Sequence, residues 1–161
     1  MTKNQGDSEF EEVFTETDYY DGPRQGIANY RGVPHFYDCV FSDEKQDYIN
    51  RYLLTPVSDE VFQLALEDWA IWKRWEQAFK AGKTTRDTHP ALPEDRSRHQ
   101  QIQSLLVGRL QTDAGQAILR SAKFLILKPQ ERIIGALLDL LVEWSEPSAN
   151  PGHGIWADDQ A

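Results

Sequence analysis

Residues 58–82, SDEVFQLALEDWAIWKRWEQAFKAG, carry three of the chain's five tryptophans and read as one amphipathic helix. Pro56 disfavours helix just before the stretch, and Ser58 is a good N-cap. Asp59 and Glu60 suit the positive end of the helix dipole, and Gly82 supplies a C-terminal stop. At about 100° per residue, Val61, Phe62, Leu64, Ala65, Leu66, Trp69, Trp72, Trp75 and Phe79 fill an arc of roughly 220°. Gln63, Glu67, Lys73, Arg74 and Gln77 are left to meet water, so the pattern predicts a helix buried on two sides.

Asp68 interrupts the apolar arc, between Leu64, Trp72, Trp75 and Phe79 on the wheel. A carboxylate there needs a partner or a raised pKa. One reading is a structural acid satisfied by an Arg, a Tyr hydroxyl or backbone N–H groups, with Arg96 or Arg98 as counter-ion if a second helix packs antiparallel to the first. The other is a general acid or base in a pocket lined by Trp72 and Trp75, helped by His35 or His99. These five residues, Asp68, Trp72, Trp75, His35 and His99, form the candidate pocket. No second catalytic group lies at a telling spacing, so no residue is assigned a catalytic role. The ordinary reading of Trp69, Trp72 and Trp75, three apart and spread around the helix, is core packing.

At 161 residues the chain suits one domain able to bury a sizeable core without disulfides or metals. No apolar run approaches the ~18–20 residues of a membrane span. The start, MTKNQGDSEFEE, lacks the apolar core of a signal peptide, and the single Cys39 rules out an internal disulfide framework. The expectation is a cytoplasmic protein with no membrane partner. Residues 1–21 hold seven acids and one Lys, and residues 143–161 hold four acids and no base, so the ends account for the net charge of −9. The remainder is near neutral, which argues against nucleic acid and for acidic arms that could meet a basic protein.

Taken in order, residues 1–17 read as an acidic flexible arm in which Phe10, Val13 and Phe14 could form one docking turn of helix. A Gly-, Pro- and Tyr-rich stretch follows, with strands expected at 26–30, 35–41 and 48–54, a tight Arg31-Gly32 turn and a polar SDEKQD loop: an antiparallel meander. On the second strand His35, Tyr37, Cys39 and Phe41 share one face. A second helix is expected from Pro93-Glu94-Asp95 to about Leu110, and a strand at 121–128. Residues 129–145 fit a helix and a strand about equally; the lean is to a strand over 139–144 with Leu140, Val142 and Trp144 facing inward. Residues 146–161 read as a disordered acidic tail.

The blocks DGPRQGIANYRGVPHFYDC, LLTPVSDEVFQLALEDWAIWKRWEQAF and THPALPEDRSRH resemble an uncharacterised family of small bacterial proteins, over roughly Asp18 to His99. The resemblance implies a bacterial origin and agrees with the fold reading. It implies no activity, site or cofactor.

Chemistry-bearing side chains are sparse. His35 and Cys39, four apart on a strand, would be about 13 Å from each other, too far for a thiol and its base. His35, His89, His99 and His153 form no close ligand pair, so no metal is expected, and Lys80, Lys83, Arg86, Arg96 and Arg98 lack a Gly-rich phosphate cradle. No cofactor is assigned. The fold expected is α+β: residues 18–145 as a single domain in which an antiparallel meander packs on the tryptophan-rich helix and a second helix, with room for a C-terminal β-hairpin. The favoured function is a non-catalytic interaction module, an adaptor or immunity-type inhibitor. The rival is a small enzyme or ligand-binding protein with a pocket between sheet and helix.

Overall fold

The computed structural model describes residues 9–127 and 139–147. They form two compact units, one built from the residues up to 56 and from 112 onward, the other from residues 57–111. The first holds β1 (Glu11–Tyr19), β2 (Pro23–Tyr30), β3 (Val33–Ser42), β4 (Asp47–Pro56), β5 (Ile118–Leu127) and β6 (Asp139–Ser145). Every neighbouring pair is antiparallel, and the six strands close as a barrel in sequence order, with β6 returning to β1 through Glu11↔Val142 and Glu12↔Leu141. The chain is therefore mixed α+β with an antiparallel sheet, and the meander expected from the sequence is β2–β3–β4.

Strand alternation fills the barrel. Tyr37 and Cys39, Tyr52 and Leu54, Ala122 and Phe124, and Leu140 and Val142 are buried two apart on β3 to β6, joined by Val13 and Ala28. Closure leaves no open sheet edge among these strands. Tyr37, Tyr52, Phe124 and Trp144 form one ring cluster, with centroids 5.6 Å apart for Tyr52–Trp144 and 6.4 Å for Tyr37–Phe124. Beyond a register shift after Cys39, Phe41 pairs with Tyr48 near the end of the strand and is 49% exposed, so the buried part of the face expected for His35, Tyr37, Cys39 and Phe41 ends at Cys39.

Residues 11–17, read from the sequence as arm, lie in β1, and of Phe10, Val13 and Phe14, expected to form a docking turn of helix, Val13 and Phe14 are strand. Only Val13 and Thr15 of β1 are buried, which is why EEVFTETDY carries a weak apolar signal. The strand is held by pairing on both sides. Its ladder with β2 is irregular, shifting register at Val13/Thr15, Glu16/Asp18 and Asp18/Tyr19. At Thr15 the Ile27 N–H donates to the hydroxyl Oγ1 (2.8 Å), and the Thr15 carbonyl accepts the Tyr37 hydroxyl (2.8 Å). Glu11 fastens the other end of the strand, its carboxylate accepting the N–H groups of Arg31 (3.0 Å) and Gly32 (2.7 Å) in the β2–β3 turn.

The second unit holds α1 (Asp59–Lys80) and α2 (Arg96–Leu106), with a single 3-10 turn at Arg86–Thr88 between them. Ser58 caps α1 by accepting the Val61 N–H (3.2 Å). The helix ends where Gly82 takes φ +72°, with Lys83 N–H reaching the Ala78 carbonyl (2.8 Å) and Gly82 N–H the Phe79 carbonyl (3.1 Å), a Schellman closure. Val61, Leu64 and Ile71 of α1 pack with Ala91, Ile102 and Leu106. The second helix ends four residues before the expected Leu110, since Val107 is extended and Gly108 adopts φ +72°.

Residues 139–145 are strand β6, with Leu140 and Val142 buried. The alternative helix over 129–145 is therefore absent from 139–145, while residues 129–138 and the tail from residue 148 lie outside the described residues.

Gly26 sits under the Thr15–Tyr37 hydrogen bond. A Cβ there would overlap the Thr15 main-chain oxygen and stand 2.6 Å from the Tyr37 hydroxyl. Backbone cannot swing aside as a side chain can, so Gly26→Ala should destabilise the barrel by about 2–3 kcal/mol, read as a lower urea midpoint. A midpoint within experimental error of wild type would contradict this packing.

Candidate functional site

Of the five residues of the candidate pocket, the helical unit joins two directly. Asp68 lies on the face of α1 that carries Val61, Leu64, Ile71 and Trp75, and His99 lies one turn before Ile102 on α2. His99 Nδ1 is 2.7 Å from Asp68 Oδ1, and Gln103 Nε2 donates to Asp68 Oδ2 (2.7 Å). The counter-ion expected from Arg96 or Arg98 is thus replaced by an imidazole and an amide. Arg98 instead forks onto Glu67, its Nη2 donating to Oε1 at 2.8 Å. The Asp68 and His99 side chains are 18% and 20% exposed, sheltered but not sealed.

Ion pairs flank this contact along the two helices. Arg74 grips Asp95 with two bonds of 2.9 and 3.0 Å, and Arg109 reaches Glu60 at 2.9 Å. With Glu67–Arg98 they set α1 and α2 antiparallel, residue numbers rising on one as they fall on the other. The guanidinium groups of Arg98 and Arg109 hold the Glu67 and Glu60 carboxyls below the usual glutamate range.

The other pocket residues are engaged elsewhere. Trp75 is buried, stacked on Phe79 (5.1 Å, 12°), edge-on to His89 (4.6 Å), and donates from Nε1 to Thr88 Oγ1 (2.9 Å). Trp72 stacks on Trp69 (5.1 Å, 25°), so rings three residues apart, expected to spread around the helix, lie against each other. His35 belongs to β3, where Nδ1 is 2.7 Å from the Val33 carbonyl and the ring stands edge-on to Tyr30 at 5.4 Å.

A carboxylate bonded to Nδ1 of a neutral imidazole keeps the proton there and leaves Nε2 as acceptor, the arrangement of an oriented base. The 2.7 Å contact of His99 Nδ1 with Asp68 Oδ1 has the geometry such an arrangement needs. Among the described residues no nucleophile is bonded to His99, and no group of three or more His, Cys, Asp or Glu could hold a metal ion. Among the same residues no helix is long and apolar enough to cross a membrane.

The barrel holds a second polar cluster that the sequence reading passed over. Arg24 is 5% exposed. Its Nε donates to the Tyr20 carbonyl (2.6 Å), Nη2 to the Asp21 carbonyl (3.3 Å) and Nη1 to Cys39 Sγ (3.5 Å), and its guanidinium lies 4.3 Å from the centre of the Tyr48 ring. Burial pushes the Cys39 thiol up against the pull of Arg24, leaving it protonated and poorly reactive near neutrality. Burial likewise pushes the Tyr52 and Tyr37 hydroxyls well up. Arg24 stands in DYYDGPRQG, a polar stretch that reads as solvated turn; its contacts with Cys39 of β3 and Tyr48 of β4 show that its side chain turns inward.

Comparison with protein-family models, with curated proteins and with solved structures gave no match.

The Asp68–His99 contact is open to a double-mutant cycle. Asp68→Asn and His99→Ala should each destabilise the chain by about 1–3 kcal/mol, and the cycle should return a coupling of about 1–2 kcal/mol in urea unfolding. Coupling near zero would mean that the pair does not hold the helices together.

Proposed function

We propose that the protein is a non-catalytic interaction module, of the adaptor or immunity-inhibitor type, that works in the cytoplasm by binding a basic protein. The observation that carries this reading is the engagement of Asp68. Both of its oxygens are taken by groups of the neighbouring helix, so the acid on which an enzymatic reading turns serves to register α1 against α2. The Arg98, Arg74 and Arg109 side chains are paired within the same unit, while the chain as a whole carries a charge of −9. A surplus of that sign favours encounter with basic surfaces and disfavours nucleic acid and anionic lipid.

The second reading, a small enzyme or ligand-binding protein built on Asp68 and His99, is favoured by the Nδ1 contact with the Asp68 carboxylate, which leaves the far nitrogen of His99 outside that bond. It needs a reacting partner for that nitrogen.

The test begins with affinity capture on the intact chain at low salt, followed by purification of each recovered protein and direct titration. The expected result is a purified basic partner whose affinity falls roughly tenfold between low and physiological ionic strength. Affinities indifferent to salt, or no purified partner that binds, would remove the proposal. A small molecule that perturbs the His99 Nε2 resonance would favour the second reading.

A further inference from the structure

The end of the barrel formed by the β1–β2 turn and the β3–β4 loop presents large rings to solvent. Tyr20 is 69% exposed, Tyr19 42% and Phe41 49%. Rings exposed to this degree at the end of a barrel whose interior is filled with rings call for an explanation. Asp18 near the end of β1, Asp21 in the turn and Asp43 and Glu44 in the loop are exposed, and the two connections hold a single base, Lys45.

Contacts beneath make this end one continuous surface. Arg24 holds the main chain of the β1–β2 turn through the Tyr20 and Asp21 carbonyls. Its guanidinium rests on the Tyr48 ring, and Tyr48 meets Phe41 edge to face, centroids 5.3 Å apart at 83°. The turn is further fixed by the Tyr20 N–H to Gly22 carbonyl bond (3.0 Å), with Asp21 at φ +50° and Gly22 at φ +128°. In the other connection Lys45 N–H is bonded to Ser42 Oγ (3.2 Å). Tyr20 and Phe41 therefore stand on a braced support, so little ordering is required when they are covered.

We propose that this barrel end is a docking platform for a basic segment of another protein, whose arginine or lysine side chains lie on Tyr19, Tyr20 and Phe41 while the surrounding carboxylates meet their charge. The inference rests on the interaction-module reading and gives it a surface and a partner chemistry. Tyrosines on a rigid support are favoured centres of binding energy, and aromatic faces attract guanidinium and ammonium groups. The rim of like sign disfavours a second copy of this chain, which carries −9 overall, and repels phosphate backbones and anionic headgroups. Arg24 does not cancel the rim: it lies below the surface, its hydrogen bonds already directed at carbonyls and the Cys39 thiol.

The test uses the full-length chain, labelled with nitrogen-15, titrated with a short peptide alternating Arg and Gly and with its Glu-for-Arg counterpart. The expected result is that only the Arg peptide shifts the amide signals, that the shifts concentrate on residues 18–22 and 41–45, and that the double variant Tyr20→Ala/Phe41→Ala lowers affinity by about tenfold with an unchanged melting curve. Shifts confined to residues 1–16 and 143–161, or a double variant that binds as well as wild type, would overturn the platform while leaving a binder of basic proteins. Absence of any shift with the Arg peptide would overturn the platform and count against the interaction reading as well.

Discussion

Two neighbouring strands that fall out of register leave main-chain carbonyls that something other than the ladder must satisfy. The β1–β2 hairpin does so repeatedly, and the barrel is built around the answers. Tyr37 of β3 serves the Thr15 carbonyl, Tyr52 of β4 the Pro23 carbonyl (2.7 Å), and Trp144 of β6 the Asn29 carbonyl (2.9 Å). Arg24 takes Tyr20 and Asp21. Five carbonyls of one hairpin thus recruit the largest polar-tipped side chains of the barrel. The same rings supply its apolar filling, so core and hydrogen-bond accounts are met by the same residues.

That arrangement explains a composition with the aromatic residues and the charge in unexpected places. A buried guanidinium without a carboxylate is costly unless carbonyls and a π face surround it, and Arg24 has both. Its position frees the acids of the turn above it for solvent or a partner. In the helical unit the logic is reversed: carboxylates, guanidinium groups, an imidazole and an amide are matched across α1 and α2 and fix which helix residue faces which. Polar matching of this kind specifies register more than it adds stability.

Local signals made part of this legible beforehand. The Ser58 cap, the Gly82 stop, the meander of β2 to β4 and the inward alternation of Leu140 and Val142 all depend on residues close in sequence. Asp68 stood out because a charge in an apolar arc is visible on a helical wheel, and His99 was among the helpers named for it. What stayed hidden depends on residues far apart in the chain. β1 has two buried positions and is made a strand by neighbours on both sides. Phe41 lies exposed beyond a register shift that no strand pattern announces. Arg24 reads as solvated until Cys39 and Tyr48 are brought to it from two other strands. His35, equally suited to help Asp68 on sequence alone, lies on β3 and is engaged there by Val33 and Tyr30.

If Arg24 gives the barrel end its fixed shape, the most direct measurement is amide hydrogen exchange at Tyr20, whose N–H is bonded across the turn to Gly22, in wild type and in Arg24→Met. The turn should open in the variant, with Tyr20 exchange faster by at least about tenfold after correction for any change in global stability, while the amides of Tyr37 and Tyr52 retain the protection that global stability sets. Unchanged protection at Tyr20 would show that the turn holds its shape without the guanidinium, and the buried arginine would then not be what organises this end of the molecule.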